Sequence, residues 1–488
     1  MLKWIQGGLS AVTGIAEPEY GKDYIHTATD RVKNSKTQPY VELTREDLKW
    51  LQPEHTNVET TTFYFSNLNT GIIGFAQIIH SNIISLFTQA QFTFRIFDSN
   101  NPEKLNVWTS TKLENFEIKG TDFFADNLSL ELNKELNQYH FISNVNKRSK
   151  IDIYFDQVVK GCKLGEDPFT YYGDNIEEPW GSMRHIFWPR NKVTGTIQLK
   201  RPISLEEKIV TDLKDKVEDE AEERVEEVSD DDDDESNEGD EQSNATNSVE
   251  QQENASGVVS YDDADESEYD SECDEEILED MTIDFTKEEN CYGLFVMAMQ
   301  GMKPNHAAKA WNFVNFHSKE HSVMVMEFIT PKSYGCTKVS VGVISNNEKV
   351  LAMTIDNDFQ HLDQKVDEIG WNVPHKLKIK LSGISSELPD KQIAADDILS
   401  KDRVSSTVDV DLKTLVERVD VMAEIPQFVK NIVSGIAGTK PYIYQYADRD
   451  NFTLQVNDEK TFEKGIGWTE VTFISESDTV TKESFNEN

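Results

Sequence analysis

Residues 228–242 read VSDDDDDESNEGDEQ, and this run lies inside a longer acidic stretch that extends from Ile203 to Phe285. The longer stretch holds 35 Asp and Glu against 4 Lys and Arg, so it carries −31 of the formal net charge of −41. Like charges repel and bury no apolar surface, so such a stretch stays solvated. The sequence therefore predicts a disordered acidic linker over residues 203–285, with one folded part before it and another after it.

Three serines of this linker stand directly before acidic residues, as the substrates of acid-directed kinases do: Ser229, Ser267 and Ser271. They are candidate phosphorylation sites. Phosphate groups would add negative charge where it already dominates, so we expect them to change the partners or the reach of the linker and not the fold. A plain acidic spacer is the alternative interpretation.

Composition narrows the classes of function. Outside the linker the net charge is only −10 and no folded stretch is strongly basic, which argues against a nucleic-acid partner. The four cysteines form no C-x-x-C pair, a reduced, cytosolic pattern without a cysteine zinc site. No long apolar run or signal-peptide core occurs, so we expect no membrane span and no secretory signal. Glycine-rich nucleotide loops and nucleophile elbows are also missing, so we expect no cofactor and no catalytic residue.

Residues 1–18 read MLKWIQGGLSAVTGIAEP and predict an amphipathic helix. At 100° per residue its apolar side chains form one arc, and we expect that arc to bind membranes: Met1, Leu2, Trp4, Ile5, Leu9, Val12 and Ile15. The polar face carries Gln, Ser, Thr and Gly with a single Lys, as in helices that insert where lipid packing is loose. Docking on the protein's own core is the alternative. The three glycines make it a poor helix in water.

The first folded part, residues 44–202, consists of short strands. Ile151, Ile153 and Phe155 alternate with polar residues, and turn residues separate one strand from the next. Strands at such short spacing, without helical periodicity between them, indicate an antiparallel barrel or sandwich. Several strands are apolar on both faces, which favours a barrel with a lined interior.

The second folded part, residues 286–476, repeats this pattern, and residues 477–488 form a flexible tail. Residues 376–381 read KLKIKL, with Leu377, Ile379 and Leu381 predicted to face inward. One helix is predicted over residues 425–436, where apolar side chains recur every three or four positions before a glycine. The whole chain is therefore predicted to be mainly β, with two antiparallel barrels in tandem.

Residues 171–190, YYGDNIEEPWGSMRHIFWPR, are the candidate site. Aromatic walls with a few polar groups suit the mouth of a ligand pocket. Aromatic closure of one barrel end and acid–base chemistry between a glutamate and His185 are the alternatives. The candidate pocket residues are Trp180, Met183, His185, Phe187, Trp188 and, from the second part, Trp311. His317-Ser-Lys-Glu-His321 matches an H-x-x-E-H zinc pattern, but it runs into a strand, so we expect a turn and no metal site.

Seven segments together resemble the fungal survival factor 1 family: MLKWIQGG, AEPEYGKDYIH, HTNVET, TSTKLENF, EEPWGSMRHIFWPR, QGMKPNHAAKAWNF and AGTKPYIYQY. They cover both folded parts and the N-terminus. The resemblance implies two lipocalin-like domains that bind ceramide and move it from the endoplasmic reticulum to the Golgi. It also implies support of survival under oxidative stress, and an N-terminal helix acetylated at Met1 that holds the protein to membranes.

Three hypotheses follow. The first is a ceramide carrier without catalytic activity. We expect it to be a monomer, located in cytoplasm and nucleus and peripherally on endoplasmic reticulum and Golgi membranes. The second is a hydratase or isomerase acting on an apolar lipid, because the wider superfamily resembles carotenoid hydratases. The third is a β interaction scaffold without a cavity.

Overall fold

The structure is a computed structural model that describes residues 21–51, 57–83, 87–203, 278–302, 304–421, 441–457 and 461–474. The described residues before Leu199 and after Met281 form one compact unit. The described residues 199–203 and 278–281 belong to a second, smaller unit. In the described part of that smaller unit, Arg201 pairs with Glu279 at 2.5 Å.

The first sheet takes strands from both sides of the acidic linker. Before the linker these are β1 (Ile25–His26), β2 (Tyr40–Glu42), β3 (Asn57–Asn67), β4 (Ile72–Ile83), β5 (Phe87–Asp98), β6 (Asn106–Lys112), β7 (Glu117–Lys119), β8 (Asp122–Ala125), β9 (Leu128–Leu132), β10 (Gln138–Asn146), β11 (Ser149–Gln157), β12 (Cys162–Leu164), β13 (Phe169–Tyr172) and β14 (Gly181–Pro202); after it come β15 (Leu278–Asp284) and β16 (Cys291–Gln300). The main path of the sheet is β6-β5-β4-β3-β16-β14-β11-β10-β9-β8-β7.

Strand β16 lies in the middle of the first sheet, although the sequence pattern places its residues in the second folded part. It pairs antiparallel with β3 on one side and with β14 on the other, so that Phe295 lies opposite both Phe63 and Trp188. The second sheet therefore does not begin at residue 286, where the sequence places the second domain. Strand β15 also lies inside residues 203–285, the range for which the charge pattern predicts a disordered linker.

The second sheet lies wholly after the linker. Its strands are β17 (Ala310–His317), β18 (His321–Ile329), β19 (Lys338–Asn346), β20 (Val350–Leu362), β23 (Lys376–Ile384), β24 (Arg403–Asp411), β25 (Leu415–Asp420), β26 (Tyr442–Asp448), β27 (Phe452–Val456), β28 (Glu463–Lys464) and β29 (Ile466–Phe473), while β21 (Lys365–Val366) and β22 (Asn372–Val373) form a separate hairpin. The order is β25-β26-β29-β17-β18-β19-β20-β23-β24-β27-β28. The prediction of a mainly β chain with two antiparallel, barrel-like sheets is confirmed.

Helices are short. Among the described residues, the α-helices are α1 (Ala28–Ser35), α2 (Pro304–Ala307) and α3 (Asp390–Ala394), and single 3₁₀ turns occur at Lys22–Tyr24, Glu46–Leu48, Lys332–Tyr334 and Ser400–Asp402. Helix α1, which the sequence pattern does not predict, begins after Thr27, whose hydroxyl accepts a hydrogen bond from Asp30 N at 3.0 Å. The helix predicted over residues 425–436 lies outside the described residues.

The interior of the first sheet is packed with aromatic rings. The ring centroid of Phe63 lies 4.6 Å from that of Phe155 and 4.9 Å from that of Phe295. Trp188 packs on Tyr139 at 4.8 Å on the same face. Each such ring pair contributes about 0.5–1.5 kcal/mol beyond the burial of its area. This interior is therefore a close-packed core around Phe63.

The interior of the second sheet is aliphatic where β23 meets β24. Leu377 lies opposite Val410 and Ile379 opposite Val408. These side chains and Leu381 are all at most 2% exposed, which confirms the inward direction predicted for the apolar residues of KLKIKL. Alternation of apolar and charged residues is sufficient to orient a strand whose outer face meets water.

The outer faces of the two sheets pack against each other. Tyr64 of the first sheet stacks on Phe313 of the second at 5.0 Å, and Phe75 meets Trp468 edge-on at 5.6 Å. Arg95, 1% exposed, reaches across and donates a hydrogen bond to Val416 O at 3.0 Å. The two sheets therefore share one core, which explains why they form a single unit and not two independent domains.

Candidate functional site

A small apolar cavity lies between the two sheets. Its volume is about 20 Å³. Its walls come from β14 (Met183, His185, Phe187), from β18 and β19 (Met326, Phe328, Val339, Val341) and from the segments beside α1 and β13 (Ala28, Leu164, Pro168, Thr170). That volume is close to what one water molecule needs, whereas pockets for drug-sized ligands measure about 300–1,000 Å³. A lipid tail would therefore fit only after the facing side chains move apart.

Successive side chains of strand β14 point to opposite faces of the sheet, so the predicted pocket residues on this strand fall into two groups. Met183, His185 and Phe187 project between the sheets and line the cavity. Trp188 points to the opposite face, into the interior of the first sheet, where it packs on Phe295 at 5.3 Å. Its close approach requires Gly161, since a Cβ there would lie 2.3 Å from Trp188 Cδ1. The structure therefore places Trp188 in the core of the first sheet and away from this cavity.

Two further predicted residues lie near the cavity without lining it. The ring of Trp311 lies 5.8 Å from that of His185 and 4.9 Å from that of Phe328, so it supports the cavity wall. Trp180 belongs to an adjoining aromatic cluster, with its ring 6.0 Å from Tyr172. Contact of any of these residues with a ligand stays a prediction.

His185 is the one ionisable group of the cavity wall. Burial, with the positive charge of Arg184 as a second cause, lowers the pKa of His185 to about 3. The imidazole is therefore neutral at pH 7, although the residue is partly exposed. No carboxylate occurs among the described residues that line the cavity, and Glu177 and Glu178 are exposed. The described geometry does not bring together the acid–base pair that the enzyme hypothesis requires.

Sequence reasoning missed the opposite wall. Met326 and Phe328 of β18 and Val339 and Val341 of β19 complete the cavity. Both strands are apolar on two faces, because one face packs inside the second sheet and the other packs on the first. That double-sided pattern is the available signal, but it does not say which face meets a ligand.

Helix α1 covers one side of the cavity and is held to both sheets by polar contacts. Arg31 donates a hydrogen bond to Phe169 O at 2.7 Å beside β13. Lys33 pairs with Asp356 of β20 at 2.6 Å. Solvent-exposed pairs of this kind contribute only about 0–1 kcal/mol each. These polar contacts add little to the packing of α1, because the buried side chains of Ala28 and Val32 belong to the core between the sheets. Ala28 also closes the cavity from within.

Other candidate residues fall elsewhere. The membrane-binding residues Met1 to Ile15 and the serines Ser229, Ser267 and Ser271 lie outside the described residues. The H-x-x-E-H segment forms the turn between β17 and β18, where His317 Nδ1 contacts Ser322 Oγ at 2.6 Å. Within the described ranges, no group of three or more His, Cys, Asp or Glu is arranged to hold a metal ion. Among the described helices none is long and apolar enough to cross a membrane.

The family model and the curated relatives that the chain matches point to the same family. The model of the Svf1 family matches residues 2–475. The chain is 55% identical over 487 residues to a ceramide-binding protein of Candida glabrata, covering 100% of both chains. It is 44% identical over 488 residues to a ceramide-binding protein of Kluyveromyces lactis, again covering 100% of both.

Among solved structures, the crystal structure of CghA superposes with a TM-score of 0.49 at 8% identity, covering 86% of this chain and 89% of that one. A superposition at that score supports no inference about activity.

Proposed function

Because the chain belongs to the Svf1 family, we propose that it binds ceramide between its two sheets and carries it between membranes. The observation that carries this proposal is the apolar cavity walled by β14, β18 and β19, in a chain 55% identical to a protein named for ceramide binding. Ceramide carries two hydrocarbon chains, and each buried CH₂ contributes about 0.8 kcal/mol. An interface between apolar sheet faces supplies a matching environment.

Loading requires the interface to open. The closed cavity of about 20 Å³ holds no hydrocarbon chain. Met183 and Met326 lie in its wall, and methionine side chains adapt to irregular shapes because they are unbranched and flexible. Helix α1 borders the cavity through Ala28, and its Lys33 is joined to the second sheet by a solvent-exposed ion pair with Asp356 that contributes little to stability. We expect lipid to enter beside α1 as these side chains rearrange.

The wider role follows from the family and the N-terminal pattern. Residues 1–16 would contact the membrane during loading and release, with acetylation of Met1 removing a charge next to the apolar arc. The chain would then transfer ceramide from the endoplasmic reticulum to the Golgi and support sphingolipid synthesis and survival under oxidative stress. It would act as a monomer in cytoplasm and nucleus and peripherally on those membranes, with phosphorylation of the linker serines changing its partners.

We propose binding without catalysis. The described cavity wall holds His185 and Thr170 as its polar side chains, and a neutral imidazole without a nearby carboxylate is poorly suited to acid–base chemistry. A hydratase would add the mass of one water to its lipid. This difference makes the two hypotheses distinguishable in one experiment.

The test is to expose the purified full chain to vesicles that contain ceramide and then to record native mass spectra. We expect one unmodified ceramide per chain, and faster movement of ceramide from donor to acceptor vesicles when the protein is present. Protein that stays lipid-free after exposure would contradict the proposal, and a bound lipid heavier by one water would favour the hydratase.

A further inference from the structure

Strands β19 and β20 separate at one end of the second sheet. Their pairing runs only from Gly342 opposite Thr354 to Ser345 opposite Val350. Beyond that point β19 continues along β18, and β20 continues along β23 after an irregularity at Thr354. The sheet is therefore split between residues 338–341 and 356–362.

Side chains take the place of backbone ladder bonds across this split. Asn357 Nδ2 donates to Ser340 Oγ at 3.2 Å, and Lys338 Nζ donates to Asn357 O at 3.3 Å. Polar side chains thus line both edges of an opening in an otherwise apolar sheet.

Two buried oxygens at the split have no hydrogen-bond partner among the described residues, Thr354 Oγ1 and Asn357 Oδ1. The carboxylate of Glu327 beside them is hydrogen-bonded by Ser340, Lys338 and Asn312. Thr354 is 0% exposed, Glu327 2% and Asn357 9%. Lys338 Nζ lies 3.5 Å from Glu327 Oε2, an ion-pair distance. A buried acceptor without a donor is costly, so a ligand that donates several hydrogen bonds would be favoured here.

A groove of about 430 Å³ opens onto the split, and Ser340 and Asn357 form part of its wall. Its charged side chains balance in number: Lys33, Lys338 and Lys380 against Asp30, Asp356 and Asp358. This balance does not favour an anionic phosphate head group. A neutral head group with hydrogen-bond donors fits the groove better.

The groove and the apolar cavity are neighbours. Along β19, Lys338 and Ser340 line the groove while Val339 and Val341, the residues between and after them, line the cavity. Helix α1 borders both, through Thr29 in the groove and Ala28 in the cavity. Successive side chains of a strand point to opposite faces, so the groove and the cavity lie on opposite sides of β19. One ligand with a polar end and apolar chains could occupy both by passing through the split.

We propose that the split between β19 and β20 binds the amide and hydroxyl groups of ceramide, while its hydrocarbon chains lie between the sheets. This inference rests on the proposed function. It assigns Ser340, Asn357 and the buried hydroxyl of Thr354 as the groups that distinguish ceramide from other neutral two-chain lipids. Diacylglycerol with the same chains has one hydroxyl group and no amide N–H, so it satisfies fewer of these acceptors.

The experiment measures the affinity of the full chain for ceramide and for chain-matched diacylglycerol. We expect the wild type to bind ceramide about tenfold or more tightly than diacylglycerol. Asn357→Leu should lose most of that preference, and Ser340→Ala should reduce the preference about threefold. Ser406→Ala is the matched control, because Ser406 is also a buried serine of the second sheet, 3% exposed, but lies on β24, two strands from β20, and lines neither the groove nor the cavity. It should keep the wild-type preference.

The outcomes separate the two proposals. A wild type that binds neither lipid would overturn the proposed function and this inference together. A wild type that prefers ceramide, with Asn357→Leu and Ser340→Ala unchanged in that preference, would overturn the assignment of the split alone. If Asn357→Leu fails to fold in thermal unfolding, the nearly isosteric Ser340→Ala decides.

Discussion

At the scale of single residues, the alternation of side chains along β14 decides which of them reach the interface between the sheets. Met183, His185 and Phe187 reach the interface between the sheets, while the adjacent Trp188 reaches the core of the first sheet. Successive side chains of a strand point to opposite faces, so aromatic residues adjacent in sequence serve different cores. The face of the strand on which a residue lies therefore identifies site residues better than the amino-acid composition of the segment does.

His185 should make stability depend on pH. Its pKa is lowered to about 3 in the folded protein, so between pH 6.5 and 3 the unfolded chain binds a proton there that the folded protein does not. This contribution to stability is present above about pH 6.5 and is lost as the pH falls. From pH 7 to pH 5 we expect wild type to lose about 2 kcal/mol more free energy of unfolding than His185→Leu.

Urea unfolding of both proteins at the two pH values measures this difference. Equal losses would show that His185 is accessible enough to protonate in the folded state.

Val341 offers a direct test of the cavity. Val341→Phe adds bulk to a space of about 20 Å³, so it should block the chains of ceramide and reduce binding at least tenfold. Val366→Phe makes the same change at a valine that is 55% exposed and should bind as the wild type does. Vesicle-to-vesicle transfer rates, with melting temperatures as a check of folding, report both. Normal transfer by Val341→Phe would place the lipid elsewhere.

At the scale of elements, β16 and α1 connect parts that the sequence separates. Strand β16 follows the acidic linker but completes the first sheet between β3 and β14. Helix α1 precedes the first long strand yet pairs through Lys33 with Asp356 of the second sheet. Helix α1 also closes the cavity through Ala28.

The N-terminal segment itself carries a prediction. Ile5→Glu or Leu9→Glu puts a charge into the apolar arc of the predicted helix, which should abolish flotation with liposomes. Ser10→Glu changes the polar face and is the matched control that should reduce flotation only slightly. Unchanged flotation of Ile5→Glu and Leu9→Glu would favour docking of this segment on the protein's own core.

At the scale of the whole molecule, the two sheets form one unit with a common core. Aromatic contacts such as Tyr64 on Phe313 at 5.0 Å and Phe75 on Trp468 at 5.6 Å join them. Separation would expose those rings to water, so stability and the lipid site should depend on the presence of both sheets.

Fragments test this dependence. A chain of residues 1–202 lacks β16, so β3 and β14 would lose their shared partner, and we expect it to aggregate or to lack a cooperative unfolding transition. A chain in which residues 206–276 are replaced by a short Gly-Ser linker keeps every described strand and should unfold as the full chain does. Circular dichroism on heating distinguishes them. Cooperative unfolding of the first fragment would show that the first sheet is independent.

The sequence alone determined that the chain is mainly β and which residues of strands such as β23 face inward. It also determined where the acidic stretch divides the chain. These follow from local properties, because the alternation of apolar residues and the repulsion of like charges act over a few residues. It also indicated six candidate pocket residues, of which Met183, His185 and Phe187 line the cavity, whereas Trp180, Trp188 and Trp311 do not.

Only the tertiary structure decided that β16 joins the first sheet, that Trp188 is a core residue, and that the cavity lies between the sheets and not inside one. Each depends on partners distant in sequence: β16 is separated from β14 by the acidic linker, and the second wall of the cavity comes from β18 and β19. Strand pairing across such distances is selected by the packing of the whole core, which no local pattern encodes.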